Sequence, residues 1–326
     1  MNEETKKTAP EERRREIGGY LELDSYRLPM LHEEALALNS GRNALAYLLR
    51  ARGIGRLLIP ALICDAVTDI CRREGVAYTF YSVDEHFLPA RPLTPGADEW
   101  LYLVNFYGQL GEERIAAFAS EYQRVIVDNA QAYFQRPVPG IDTLYTCRKY
   151  FGVADGAFLC TDARLGEELP QDESHARMGF LLGRYERPAA EFYGQYTENE
   201  ALFSAEPIKR MSRLTRNLLH GIDYAAVERQ RRENFAYLHE RLGARNLLTL
   251  SRTGTFMYPF LTENGAALRK KLQAEKIYIP TLWPSVLAQC RPDCPEYRLA
   301  ENILPLPVDQ RYGPEDMAYL IQKLVE

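Results

Sequence analysis

The chain has 326 residues, 46% hydrophobic and 26% charged, the balance of a soluble globular protein. A formal net charge of −5 excludes the concentrated basic face of a nucleic-acid binder. No apolar run approaches the ~20 residues that span a bilayer, and the length implies a large domain of roughly 200 residues with a smaller one beside it.

The first sixteen residues, MNEETKKTAPEERRRE, lack the apolar centre of a signal peptide, so the cytoplasm is the expected compartment. The six cysteines are expected to be reduced there. Cys290 and Cys294 have no second Cys or His pair to complete a zinc set, and the five histidines are scattered, so no metal site is expected. The basic runs Arg13-Arg14-Arg15 and Arg229-Gln230-Arg231-Arg232 stand beside glutamates and read as solvated helix faces.

In chain order, residues 1–18 read as a charged N-terminal arm. SGRNALAYLLRARGIG then predicts a helix, with Ser40 as N-cap, Ala44, Leu45, Leu48 and Leu49 on one apolar face, and Gly53 past the last turn. Leu57-Leu58-Ile59 is a short strand, and an amphipathic stretch covers Cys64–Arg73. Strand-like runs follow at Ala77–Ser82, Leu101–Asn105, Val125–Val127 (ending at Asp128), Leu144–Cys147 (running into Arg148 and Lys149) and Ala157–Thr161. Strands alternating with helices predict an α/β fold, a mostly parallel sheet covered on both faces. From about 160 to 215 the pattern is irregular and aromatic-rich. A long helix is predicted over Tyr224–Leu242, then a strand at Phe256–Leu261, a helix near Ala266–Glu275, strands at Ile277–Ile279 and Ile303-Leu304, and a last helix from Pro314. The division expected is a large domain over 19–220 and a smaller α+β domain over 221–326.

Ligands of such sheets sit at the carboxyl ends of the strands, and Asp128 and Lys149 both stand there. A lysine after a strand is usually solvated, and an aspartate there is usually a turn residue. With a helix start at Ser40-Gly41 they supply the three parts that pyridoxal phosphate (PLP) requires: an amine for a Schiff base, a carboxylate for the pyridine nitrogen and N–H donors for the phosphate. The amine needs desolvation or a neighbouring cation to work as a base. Arg148 is adjacent, and either faces the amine or points elsewhere.

The chain resembles the DegT/DnrJ family of PLP-dependent sugar aminotransferases, of the aspartate-aminotransferase fold (fold type I), which has a seven-stranded-type sheet. The resemblance runs from about Ile17 to the C-terminus and is carried by LNSGRNAL at 38–45, IPALICDAV at 59–67, VDNAQAY at 127–133, RKYFGVADGAFL at 148–159, KRMS at 209–212 and LPLPVDQRYGPEDM at 304–317. It implies that Lys149 carries the cofactor and acts as acid and base, that Asp128 contacts the ring nitrogen, and that Gln131 lies by the ring hydroxyl. It also implies that Gly41, Arg42 and Asn43 form the phosphate turn and that Thr146 adds a hydroxyl. Each side chain has a plainer reading too: Gln131 as a helix-start hydrogen-bonder, Thr146 as a buried strand hydroxyl, Arg42 as solvated. Three positions depart from the family: Arg42 replaces a threonine, Cys64 stands where an aromatic usually stacks on the ring, and Ile208 replaces an asparagine that reaches the partner subunit's phosphate. Tyr107 or Phe106 is the candidate substitute for the stacking ring, while Cys64 also reads as a packed apolar residue. Tyr278 and Trp283 read either as cleft lining or as core.

The activity implied is transfer of an amino group from an amino acid, glutamate or glutamine, to a keto acceptor such as a nucleotide-linked keto-sugar, by a homodimer with no nucleic-acid or membrane partner. The alternatives are a PLP lyase or dehydratase, and a non-catalytic relative. Some dehydratase relatives carry histidine at the Schiff-base position, where this chain has Lys149.

Overall fold

The computed structural model describes residues 17–90 and 92–325. The expected N-terminal arm, apart from its last two residues, lies outside the described residues, as does the Arg13-Arg14-Arg15 run. No helix among the described residues is long and apolar enough to cross a membrane.

Strand β1 (Leu36–Leu38) leads into helix α1 (Gly41–Arg52). The Ser40 side chain accepts the Asn43 N–H at 3.2 Å, Gly53 takes the left-handed conformation at φ +62°, and Arg50 and Arg52 complement the carboxyl end of the helix dipole. Then come β2 (Arg56–Pro60), α2 (Asp65–Glu74), β3 (Ala77–Tyr81), β4 (Trp100–Val104), α3 (Glu112–Tyr122), β5 (Val125–Asp128), β6 (Asp142–Thr146) and β7 (Ala157–Cys160). These form one seven-stranded sheet in the order β1-β7-β6-β5-β4-β2-β3. Strands β6, β5, β4, β2 and β3 are parallel, and β7 and β1 add antiparallel at one edge. The central strands are apolar runs because both faces are covered: β4 and β5 are buried almost throughout, whereas β3, at the other edge, exposes half of Phe80.

Three short helices, α4 (Gly179–Glu186), α5 (Tyr193–Leu202) and α6 (Arg213–Leu219), occupy the stretch expected to be irregular. Helix α4 buries none of its residues and α5 only Asn199, so neither carries the apolar stripe by which a helix is read from sequence. The rest consists of α7 (Tyr224–Leu242), β8 (Met257–Leu261), α8 (Gly265–Ala274), α9 (Pro284–Gln289), α10 (Pro295–Asn302), β9 (Ile303–Pro307) and α11 (Pro314–Val325). Strands β8 and β9 pair antiparallel, and their ladder, with Pro259, Pro305 and Pro307, tolerates the missing N–H groups because it has only two strands. A second hydrophobic cluster, from Phe235 and Leu238 of α7 to Leu320 and Leu324 of α11, surrounds this ladder.

Two expectations are corrected. Ile277–Ile279 is not a strand: Lys276 turns left-handed at φ +60°, the Ile277 N–H caps α8 by bonding Leu272 O at 2.9 Å, and Pro280 follows. Within the run Arg229–Arg232, Arg232 pairs with Glu228 at the surface, but Arg231 is 1% exposed and belongs to the core.

His32, in the turn before β1, stacks on Tyr145 with ring centroids 3.9 Å apart and donates from Nε2 to Tyr133 O at 2.7 Å. Burial pushes its pKa down to about 4, more than the bond to Tyr133 raises it, and the positive Arg136 adds to the fall. The folded-state value lies below the unfolded 6.5, so the unfolded chain binds the extra proton between the two. Stability is therefore intact above pH 6.5 and is lost as pH falls toward 4. Urea unfolding at pH 5 should show about 2 kcal/mol less stability than at pH 7, and His32→Gln should remove most of that difference. An equal difference in the variant would contradict the assignment.

Candidate active site

Parallel strands end on the same edge of a sheet, and the residues after them gather there. Asp128 ends β5, Thr146 ends β6 with Lys149 three residues on, Cys64 opens α2 after β2, and Phe106-Tyr107-Gly108 form a 3₁₀ turn after β4. The order of connections reverses between β2 and β4, so the opening of this rim lies at the switch point.

Asp128 is 9% exposed and has no ion-pair partner among the described residues: its Oδ2 accepts from the Tyr102 hydroxyl and its Oδ1 from the Ala130 N–H, both at 2.8 Å. Burial first, then the Asp128 charge, drives the Tyr102 hydroxyl well above its ordinary pKa, so it stays a donor. Lys149 is exposed and forms no ion pair among the described residues. Its Nζ lies 5.5 Å from the centre of the Phe256 ring. Cys64 lies within electrostatic reach of both Lys149 and Tyr102. Burial pushes its thiol up, outweighing the pull of Lys149. Lys149, through Cys64, and Asp128, through Tyr102, thus belong to one rim at the carboxyl ends of the strands.

At the same rim a Cβ built on Gly41 would stand 3.7 Å from Thr146 Cβ, so the open end of α1, with the N–H groups of Gly41 and Arg42, adjoins the end of β6. Arg148 does not face the amine. It turns to Glu200, with which it pairs, and packs 4.5 Å over the Phe203 ring. Burial, and after it the positive Arg42 and Arg177, press its pKa down to about 10 against the pull of Tyr196 and Asp155.

Asn43 departs from the expected phosphate turn. Its amide donates to Asn39 Oδ1, Glu206 O and Pro207 O at 3.0, 3.2 and 2.8 Å, its Oδ1 accepts from Arg73, and its N–H is taken by Ser40. It latches the 206–207 segment onto α1. Gln131 is 5% exposed, and its Oε1 accepts the Tyr107 N–H at 2.8 Å, holding the turn after β4 in its left-handed conformation (Tyr107 φ +53°). Its Nε2 meets no acceptor among the described residues. Phe106 and Tyr107 do not replace the aromatic missing at Cys64: both are buried, edge-on to Trp283, which places Trp283 in the core. Tyr278 is 63% exposed, and Ile208 is buried.

Sequence reasoning missed Tyr102, Phe256 and the clip that brings Phe256 in. Gln109 Nε2 donates to Arg252 O at 2.8 Å, and its Oε1 accepts the N–H groups of Ser251 and Arg252. Gly254 follows, where a Cβ would lie 2.5 Å from Tyr107 O. Surface hollows of about 300 and 430 Å³ lie elsewhere, one beside Glu99 and Arg124 at the amino ends of the strands, the other on α7. Tyr102→Phe should cost about 1–3 kcal/mol in chemical denaturation, because it withdraws a donor from a buried carboxylate. An unchanged midpoint would mean that water replaces the hydroxyl.

No family model and no curated protein matches the sequence. Solved structures do match. The DegT DnrJ EryC1 StrS aminotransferase from Brucella abortus is 17% identical, with 89% of this chain and 85% of that one covered at a TM-score of 0.59. NtdA from Bacillus subtilis, solved with bound cofactor PMP, is 14% identical over 93% and 79%, at 0.61. DesI, solved in the presence of its TDP-sugar product, is 18% identical over 89% and 79%, at 0.58. At such identities the likeness is one of architecture: the chain has the fold of these aminotransferases.

Proposed function

We propose that the chain is a PLP-dependent aminotransferase of the DegT/DnrJ type, moving an amino group from glutamate or glutamine to a nucleotide-linked keto-sugar. The observation that carries this reading is the placing of an exposed amine (Lys149) and a buried carboxylate (Asp128), neither in an ion pair among the described residues, just past the ends of adjacent parallel strands. The fold and the cofactor of NtdA support it, and the TDP-sugar of DesI supports the acceptor class.

The residues present fit the cofactor. The phosphate would be held at the open end of α1, where Gly41 leaves room beside Thr146 and where Arg42 adds charge. When bound, PLP supplies an electron sink that makes the Cα–H of an attached amino acid acidic. Lys149 would hold the cofactor through its aldehyde, and its amine would be the base for a proton at the donor's Cα. Asp128 would face the pyridine nitrogen and hold its proton, and the Tyr102 and Ala130 bonds fix its carboxylate plane. The Nε2 of Gln131, without an acceptor among the described residues, would be the donor to the ring hydroxyl.

Wild-type protein mixed with PLP should gain a chromophore that borohydride fixes onto Lys149, and Lys149→Ala should form none. Protein that takes up no cofactor would overturn the reading in favour of a non-catalytic relative. Glutamate should convert bound PLP to pyridoxamine phosphate, and failure with every amino acid would point to lyase chemistry instead. Asp128→Asn should leave folding intact and lower turnover on the order of a hundredfold, about 2.7 kcal/mol of barrier. Near-normal turnover would remove Asp128 from the role.

A cytoplasmic homodimer completes the proposal. A second copy would cover Ile17, Tyr20 and Leu21, which are 88%, 98% and 96% exposed, and Leu182 and Tyr185 of α4. Light scattering should give twice the chain mass of 37.4 kDa. A monomer at micromolar concentration would refute the dimer.

A further inference from the structure

Arg231 heads the side chains that the fold buries completely, and it has no carboxylate within ion-pairing distance among the described residues. Its guanidinium meets neutral acceptors only. Nη2 donates to Tyr150 O at 3.0 Å, Nη1 to Thr255 O at 2.8 Å and Nε to Gln310 Oε1 at 2.8 Å, while the plane lies 4.6 Å over the Tyr150 ring. Gln310 also donates from Nε2 to Tyr150 O at 2.9 Å. Taking an unpaired charge out of water costs several kcal/mol, and an apolar side chain of similar volume often serves stability better. What the arginine holds is specific. Tyr150 follows Lys149 in the chain, and Thr255 precedes Phe256, whose ring faces the Lys149 amine.

We propose that Arg231 is a positioning residue for Lys149: one rigid fork clamps the carbonyls of Tyr150 and Thr255 and so sets the amine against the Phe256 ring. The inference rests on Lys149 as the reacting amine. A planar guanidinium reaches three divergent acceptors at fixed angles. An ammonium at the same place bonds from a single atom, keeps the charge and loses the span.

The test compares wild type, Arg231→Lys, Arg231→Gln and Gln310→Ala, without cofactor, by labelling lysine amines with trinitrobenzenesulfonate and quantifying each site by mass spectrometry. Lys270 and Lys276 serve as internal references, and circular dichroism checks the fold. With the clamp broken the amine leaves the ring, and labelling of Lys149 should rise about threefold in the Arg231 variants, less in Gln310→Ala, with the references unchanged. In the PLP-loaded protein, Arg231→Lys should lower kcat about tenfold with KM within about threefold. A folded Arg231→Lys protein whose Lys149 labels at the wild-type rate overturns the proposal. If the Arg231 variants do not fold, wild-type labelling in Gln310→Ala overturns it. The labelling needs no cofactor, so failure of the PLP reading shows separately, as wild-type protein that takes up no PLP.

Discussion

The carboxylate of Asp128 lies inside the molecule with no ion-pair partner among the described residues, and much of the rim is arranged around it. A buried carboxylate normally finds an arginine or a lysine, or takes up a proton. Here two neutral donors stand in, the Tyr102 hydroxyl from β4 and the Ala130 N–H from the turn that Asp128 itself begins. Both donors are neutral, so the carboxylate is left without a partner of opposite charge among the described residues. Lys149 meets the complementary condition, an exposed amine on the same rim yet free of any ion pair among the described residues. A direct bond between the two would have neutralised both.

The surroundings divide the cations in the same spirit. Arg148 stands beside Lys149 in the chain but is drawn off by Glu200 and Phe203. Arg73 is committed to Glu74 and Asn43. Arg42 remains at the mouth of α1, close enough to Arg148 to be felt. A helix start with an arginine nearby favours an anion.

Much of this was legible in the sequence, because it rests on local rules. The ends of α1 follow from Ser40 and Gly53, and the extent of α7 follows from its run of strong helix formers. Asp128 and Lys149 were legible because each follows a recognisable apolar run. Tyr102 was not, since its role depends on β4 lying beside β5 in register, with Val104 opposite Asp128. Nor was Phe256, which reaches the rim only because Gln109 clips residues 251 and 252 to the turn after β4. Arg231 looked like any charged helix residue, because charge patterning along a chain carries no information about which turn faces inward. Asn43 was placed in the right loop, but its side chain was spent on the backbone at 206 and 207.

Gly254 leaves a trace of how the two sheets are joined. Its Cα approaches the carbonyl of Tyr107 so closely that even a methyl group would collide with main chain, where no rotamer change gives relief. The junction is therefore backbone against backbone, with no cushion of side chains to absorb drift. Any alanine there would wedge the lead-in to β8 outward and carry Phe256, two residues along, away from Lys149. Outer loops have space in which to change, but this seam has none.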